Sequence, residues 1–235
     1  MKYQLYYWGG IPGRGEFVRL ALEDAGAAYT DMARTEDGED EMIRIMQDDG
    51  AAHPSFAPPF LKAGSLTIGQ TANILLYLGD KHGLAPKSES GRLWTHQLQL
   101  TIADLVAEIH DSHHPIAGSL YYDQQKDEAS RRTRHLREER LPKYLGYFDR
   151  LLEKNGGWLA GKRLTYPDLS LFQIVEGLRF AFPGTMKKLE RRYRGLTPLR
   201  DRVAGRRRIA AYLESDRRQP FNNDGIFRHY PELDG

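Results

Sequence analysis

Two hydrophobic rhythms divide this chain. Through residue 83, short β-prone runs alternate with amphipathic segments; from Gly91 onward almost only the helical period remains. KYQLYYW (2–8) is short, aromatic and strand-like, and it ends at the breakers GGIPG (9–13). RGEFVRLALEDAG (14–26) sets Phe17, Val18, Leu20, Ala21 and Leu22 in a helical pattern, with Gly26 as its stop. AAYTDMA (27–33) reads as a second strand. Met42, Ile43, Ile45 and Met46, within the acidic segment 35–50, predict a short helix. PPFLKAGSLTI (58–68) holds two short strands around Ala63-Gly64, and a helix runs from about Gln70 to His82. The order is βαβαββα.

A turn-rich linker at 84–90 separates this α/β unit (1–83) from an all-helical region (91–235). Periodicity places helices at about 91–117, 126–154, 167–181, 185–193 and 197–213. Pro115, Asn155-Gly156-Gly157, Pro183-Gly184 and Gly195 supply the breaks. Thr165, three residues before Asp168 and with Pro167 in the first turn, is an N-cap signal. The tail FNNDGIFRHYPELDG is irregular but aromatic, so it is expected to fold back onto the body.

Composition removes several chemistries. The 235 residues include no cysteine, which excludes disulfides, thiolate metal sites and a cysteine nucleophile. Basic and acidic side chains number 34 and 32, a net charge of +2 that gives no reason to expect a nucleic-acid binder. Two Arg-rich stretches stand out. Residues 131–140 interleave glutamates at helical spacing and read as a solvated helix face; residues 190–208 are denser and are the one candidate for phosphate or membrane-surface contact. No apolar run approaches the ~18 residues of a membrane span. The N-terminus carries no signal-peptide pattern, so a cytoplasmic, soluble protein is expected.

One spacing points to a ligand. Pro58-Pro59 directly precede a short apolar run, and proline cannot donate to a strand ladder. Eleven residues on, a helix opens at Gly69-Gln70-Thr71, where a hydroxyl and free N–H groups suit a carboxylate or phosphate. Together they suggest a backbone site for something anionic and peptide-like.

With these motifs, an α/β unit followed by an all-helical domain resembles the cytosolic glutathione transferases over nearly the whole chain. YQLYYWGGIPGRGEFVRLALEDAG is similar to the tyrosine-type classes (sigma, mu, pi, alpha), and LAGKRLTYPDLSLF (159–172) to the family's G-x-x-(L/I)-(S/T)-x-x-D helix start. The resemblance implies a thioredoxin-like N-terminal domain, an all-α C-terminal domain with the electrophile pocket, and glutathione as co-substrate without a metal. It implies a homodimer acting on a small hydrophobic electrophile. In such proteins the second proline is cis, here Pro59, and the stretch at Pro58 pairs with the cysteinyl part of glutathione as an added strand. Gln70 and Thr71 match the family's Gln-Ser pair at the γ-glutamyl end, with threonine in place of the commoner serine.

A free thiol with pKa about 8.5 is only a few per cent ionised at neutral pH. A single hydrogen bond to the charged sulfur, worth roughly 1.5–3 kcal/mol, lowers that by about one to two units. One phenol therefore suffices as the catalytic group. Tyr6 and Tyr7 compete, since successive strand residues point to opposite faces. The family's Y-x-L-x-Y-F pattern selects Tyr7, with Trp8 in the adjoining aromatic slot and Tyr6 the alternative. The loop GGIPGRG is a residue longer than the usual tyrosine-class loop, which blurs the role of Arg14 as a support for the thiolate.

For the glycine end of glutathione the candidates are Arg34, Arg44 and His53, with Arg44 preferred, and surface charge is the competing reading for each. Asp104 falls where relatives reach across a dimer to the γ-glutamyl ammonium. His110, His113 and His114 share helical spacing that can hold a metal. No acidic or cysteine partner accompanies them, so they read as a wall of the electrophile pocket, joined by Tyr121, Phe180, Phe227 and Tyr230. A non-catalytic binding or regulatory module on the same fold is the rival class; glutathione-dependent peroxidase or isomerase chemistry is a variant of the first.

Overall fold

The computed structural model describes residues 2–235. Strands β1 (Tyr3–Tyr6), β2 (Tyr29–Asp31), β3 (Phe60–Ala63) and β4 (Leu66–Gly69) form one sheet in the order β2-β1-β3-β4. The β1–β2 pair is parallel, joined through helix α1 (Gly15–Ala25); β3 runs antiparallel to β1 and β4 antiparallel to β3. Helix α2 (Gly38–Met46) links β2 to β3, and α3 (Thr71–His82) follows β4. This is the βαβαββα order expected from the pattern.

Alternation along β1 sorts its side chains between two packings. Tyr3 and Leu5 enter the main core with Phe17, Val18 and Leu22 of α1 and Ile74 and Leu78 of α3. Tyr6 enters a smaller cluster with Met32, Met42 and Phe60, beneath α2. The strand thus delivers consecutive tyrosines to opposite sides of the sheet.

The helical domain begins with α4 (Glu89–His110), capped by the Ser88 hydroxyl, which accepts from Gly91 N at 3.2 Å. Then come α5 (Lys126–His135), a π turn at Leu136–Arg140, α6 (Leu141–Lys154) and α7 (Tyr166–Ala181). Helices α8 (Pro183–Arg192), α9 (Leu196–Ala204), α10 (Arg207–Leu213) and α11 (Pro231–Asp234) complete the chain. The Thr165–Asp168 signal is a capping arrangement: the Asp168 carboxylate accepts from Thr165 N at 2.7 Å, Thr165 Oγ1 at 2.8 Å and Leu159 N at 2.7 Å. Burial pushes the Asp168 carboxyl up to about 6, against the opposing pull of those donors.

Two helix boundaries differ from expectation. The helix sought over 91–117 ends at His110, because Ser112 Oγ folds back onto Ile109 O at 2.6 Å and Thr133 of α5 takes the Ser112 carbonyl at 2.9 Å. The helix sought over 197–213 splits at Gly205-Arg206. Arg206, extended there, turns its guanidinium onto the Asp24 carboxylate of α1.

The tail does fold back. Asn222 donates to Gly10 O at 2.7 Å, Tyr230 stacks on Tyr122 with centroids 3.8 Å apart, and Asp234 accepts from Gly184 N and Thr185 N at the start of α8. Buried Glu16 of α1 receives Tyr212 Oη at 2.8 Å and Arg218, tying this segment to the first domain. Four of the eight arginines in the dense stretch are engaged within the chain: Arg200 on Glu176, Arg202 over Trp158 and on Gly157 O, Arg206 on the Asp24 carboxylate and Arg208 on the Asp24 carbonyl, while Arg191, Arg192, Arg194 and Arg207 are exposed. Among the described residues no helix is long and apolar enough to cross a membrane.

Candidate functional site

The two tyrosines of the strand end up with different hydroxyl partners. Tyr6 donates to Glu41 Oε1 of α2 at 2.8 Å while its ring stacks on Phe60. Burial and that carboxylate push its pKa well up, so its proton is committed. Tyr7 follows the strand and turns toward the start of α1, with only 5% of its surface exposed. Its hydroxyl accepts the backbone N–H of Arg14 at 2.9 Å, which leaves its own proton free to donate. Burial raises the Tyr7 pKa, opposed by that N–H and by the charges of Arg14 and Arg19, so the phenol keeps its proton at neutral pH.

The glycine-rich loop makes room for this ring. A Cβ at Gly13 (φ +45°) would overlap the Tyr7 hydroxyl, and one at Gly15 would sit 2.8 Å from its ring. Beneath the loop lies Arg19, fully buried, its guanidinium 5.9 Å from the Tyr7 ring centroid. Arg19 donates to Pro12 O at 3.2 Å and to Asp31 Oδ2 at 2.7 Å, and pairs with Glu16 at 3.4 Å. Sequence reading missed Arg19, Glu16 and Glu41. The periodicity of α1 marks Glu16 and Arg19 only as helix positions, and Glu41 lies 35 residues from Tyr6.

The Pro58–Pro59 bond is cis, as expected, and leads directly into β3. At the start of α3, Gln70 holds a positive φ of 66°, a region L-residues rarely occupy, and strain of that kind clusters at functional sites. Thr71 follows as the first helical residue. Its Oγ1 is buried without a hydrogen-bond partner. Thr71 helps line a cavity of about 280 Å³, with Arg14, Phe17, Gln70, His96 and Leu100 among the other lining residues. His96 Nδ1 is likewise buried and unpartnered. The cavity thus joins the α1 loop, the α3 N-terminus and α4, bringing Arg14, Gln70 and Thr71 together. A second hollow of about 390 Å³ beside Gln70 is lined by His53, Ser55 and the fully protruding Phe56.

Other expected residues lie apart from this cavity. Trp8 is partly exposed next to Gly9, whose N–H bonds Glu39 Oε1 at 2.6 Å. Arg44 is exposed on α2, and Arg34 holds the Asp216 and Arg217 carbonyls. Asp104 is exposed on α4. His113 is enclosed, bonding Ile226 O through Nε2 at 2.8 Å, and His114 meets Leu120 O through Nδ1 at 3.0 Å. Tyr121 stands in solvent. Phe180 stacks on Phe221, Phe227 is enclosed over Gly177, and Tyr230 pairs with Tyr122.

Comparison with known proteins finds relatives over most of the chain. The family model described as "Glutathione S-transferase, C-terminal domain" matches residues 110–216. A glutathione S-transferase of Plasmodium falciparum is 27% identical, covering 78% of this chain and 83% of that protein. Glutathione S-transferase Mu 6 of Mus musculus is 26% identical over 94% of each. Glutathione S-transferase P 1 of Xenopus laevis is 27% identical, with 88% and 90% covered.

The chain is thus similar to glutathione S-transferases across most of its length, and residues 110–216 match that family's C-terminal domain.

Solved structures agree on the fold. Prostaglandin synthase D of Nilaparvata lugens superposes with a TM-score of 0.73 at 23% identity, over 94% of this chain and 100% of that one. The Pi-class glutathione S-transferase of Onchocerca volvulus gives 0.70 at 24% identity, over 91% and 93%. In this chain Gln70 and Thr71 of the α3 opening and Arg14 of the α1 loop share one cavity with His96 and Leu100 of α4.

Proposed function

We propose that this chain is a glutathione transferase: it binds glutathione between the α1 loop and α3, ionises its thiol by a hydrogen bond from Tyr7, and adds the thiolate to hydrophobic electrophiles. The observation that carries the reading is the hydroxyl geometry: Tyr7 accepts from Arg14 N and retains a proton to give, whereas the proton of Tyr6 is held by Glu41. A donor fixed by a backbone N–H is already oriented, so no reorganisation opposes its bond to sulfur. The γ-glutamyl carboxylate goes to Thr71 Oγ1 and the first turn of α3, where a buried hydroxyl lacks a partner. The cysteinyl backbone runs beside Pro58–Pro59, and Arg14 steadies the charged end of the cleft. The acceptor lies on the helical side, so binding aligns sulfur with electrophile as well as activating it. Peroxide reduction or isomerisation would use the same thiolate.

Two copies associate in this reading, and the protein acts in the cytoplasm. Leu93 and Leu100, seven residues apart on α4, are 64% and 48% exposed, and Phe56 is 95% exposed beside the cavity region. An apolar set of that kind calls for a covering surface. The test is the pH profile of kcat/KM for conjugation to an aryl halide. Tyr7→Phe is expected to move the apparent thiol pKa up by about one to two units and lower the rate near pH 6.5 by about 10- to 100-fold. Tyr6→Phe is expected to leave the profile in place. Equal profiles for wild type and Tyr7→Phe would remove Tyr7 from the reaction.

A further inference from the structure

The end of the arginine-rich stretch comes to a corner where the two domains meet, and two neighbouring hollows lie there. One, of about 380 Å³, is lined by Asp24, Arg206, Arg207 and Arg208. The other, of about 340 Å³, shares Asp24, Arg206 and Arg208 with it and adds His82, Gly83 and Arg163 among others. Arg208 therefore borders both hollows, Arg207 the first and Arg163 the second. The backbone builds this corner. Tyr166 N donates to Leu84 O at 2.9 Å, which holds the loop before α7, and Arg163 with it, against the end of α3. The break at Gly205-Arg206 turns the arginines at the start of α10 toward the end of α1.

The end of α1 accounts for two of the four arginines. Arg206 pairs with the Asp24 carboxylate, and Arg208 donates to the Asp24 carbonyl at 3.1 Å, a placement that a helix C-terminus favours for cations. A Cβ at Gly26 would lie 2.6 Å from Arg208 Cζ, so that guanidinium rests on the turn that stops α1. Nothing at the helix end calls for Arg163 or Arg207, and both are exposed. Among the described residues Asp24 is the one acidic residue lining either hollow, and its carboxylate is taken by Arg206. The charges of Arg163, Arg207 and Arg208 are left without a carboxylate in the hollows they line. His82 meets Tyr3 Oη through Nε2 at 3.0 Å, and burial lowers its pKa, which keeps the ring uncharged at neutral pH.

We infer that this corner binds a small soluble molecule carrying two linked phosphate groups, one in each hollow, with Arg208 between them, Arg207 on the first phosphate and Arg163 on the second. A guanidinium offers paired N–H donors in one plane, the geometry that phosphate oxygens accept. A single phosphate brings at most about two negative charges at neutral pH, fewer than the three uncompensated guanidinium groups, whereas a linked pair supplies the balance. The charges line two adjoining hollows rather than one flat helix face, which suits a small ligand better than an extended anionic surface. The corner lies at the opposite end of α1 from the loop that holds Tyr7, so the inference stands apart from the transferase reading.

The test is calorimetric titration of the full chain with pyrophosphate, inorganic phosphate and citrate, at matched ionic strength and without divalent cations. Pyrophosphate is expected to bind about 10-fold more tightly than either of the others. Arg163→Gln combined with Arg207→Gln is expected to weaken pyrophosphate binding by about 10-fold. Arg191→Gln combined with Arg192→Gln removes the same charge from exposed positions outside both hollows, and is expected to leave the affinity within about 2-fold of wild type. Thermal melts check that both variants keep the fold, and the selectivity of the wild type is read independently of either. Equal losses in the two double variants would make the effect one of diffuse charge and overturn the proposal. Citrate or phosphate binding as tightly as pyrophosphate overturns it, as does an absence of heat up to millimolar pyrophosphate. Binding to phosphatidylserine vesicles without a response to pyrophosphate also overturns it, by assigning the arginines to a membrane surface.

Discussion

Tyr6 and Tyr7 differ by one position, and one position decides which side of the sheet a phenol serves. Tyr6 has Met42 and Glu41 of α2 for neighbours; Tyr7 has Gly13, Arg14 and Gly15. The strand motif narrowed the choice in the sequence, but the partners that separate the two roles come from residues 7 to 35 positions away. The loop GGIPGRG looked only like a departure in length. Its glycines prove to be the space the Tyr7 ring occupies. His113 carries a second prediction at this scale. Its folded pKa, about 3, lies below the ordinary value of 6.5, so the unfolded chain binds more protons between those limits. The neutral ring's contribution is complete above pH about 6.5 and is lost progressively as pH falls toward 3. Thermal melts from pH 7 to 4 should show wild type weakening, and His113→Gln, with no proton to gain, should weaken less over that span. Parallel curves would mean that His113 does not govern acid sensitivity.

At the scale of elements, α1 is the hinge of the design, because its inner face carries charge as well as hydrophobic side chains. Glu16 and Arg19 are wholly buried, and they join Asp31 of β2, the Pro12 carbonyl, Tyr212 of α10 and Arg218 of the tail. Breaking a buried pair leaves an uncompensated charge, at a cost of about 3–5 kcal/mol. Arg19→Met should lose that much stability in a urea titration and also loosen the loop that presents Arg14 N–H to Tyr7. A loss under 1 kcal/mol would mean water reaches the network. Helix α7 tells the complementary story: its cap was readable because Thr165 and Asp168 are three residues apart, the spacing at which the bonds form. Asp168→Ala strands the buried N–H groups of Leu159 and Thr165 and should cost about 2–4 kcal/mol by the same titration. The misplaced ends of α4 and the split between α9 and α10 arise from Thr133 and Asp24, tertiary partners that local spacing does not encode.

For the molecule as a whole, period alone separated the two domains, because a sheet layer and a helical bundle repeat at 2 and 3.6 residues. What period did not reveal is the clasp between them: the tail that binds Gly10, Glu16 and His113 in turn. Exposed Phe56 and Leu93 bear on assembly. Sedimentation of wild type should give a two-chain particle, and Phe56→Ser with Leu93→Arg should shift it toward single chains. A wild type that sediments as one chain at all concentrations would leave those side chains without a partner copy. The central claim is that a single phenol at Tyr7 holds glutathione as its thiolate, and the most direct measurement is the ultraviolet absorbance of bound thiolate against pH in wild type and Tyr7→Phe. The account requires an apparent thiol pKa at least one unit below about 8.5 in wild type and a return toward 8.5 in the variant. An unshifted thiol in wild type, or a shift that survives the loss of the Tyr7 hydroxyl, would contradict it.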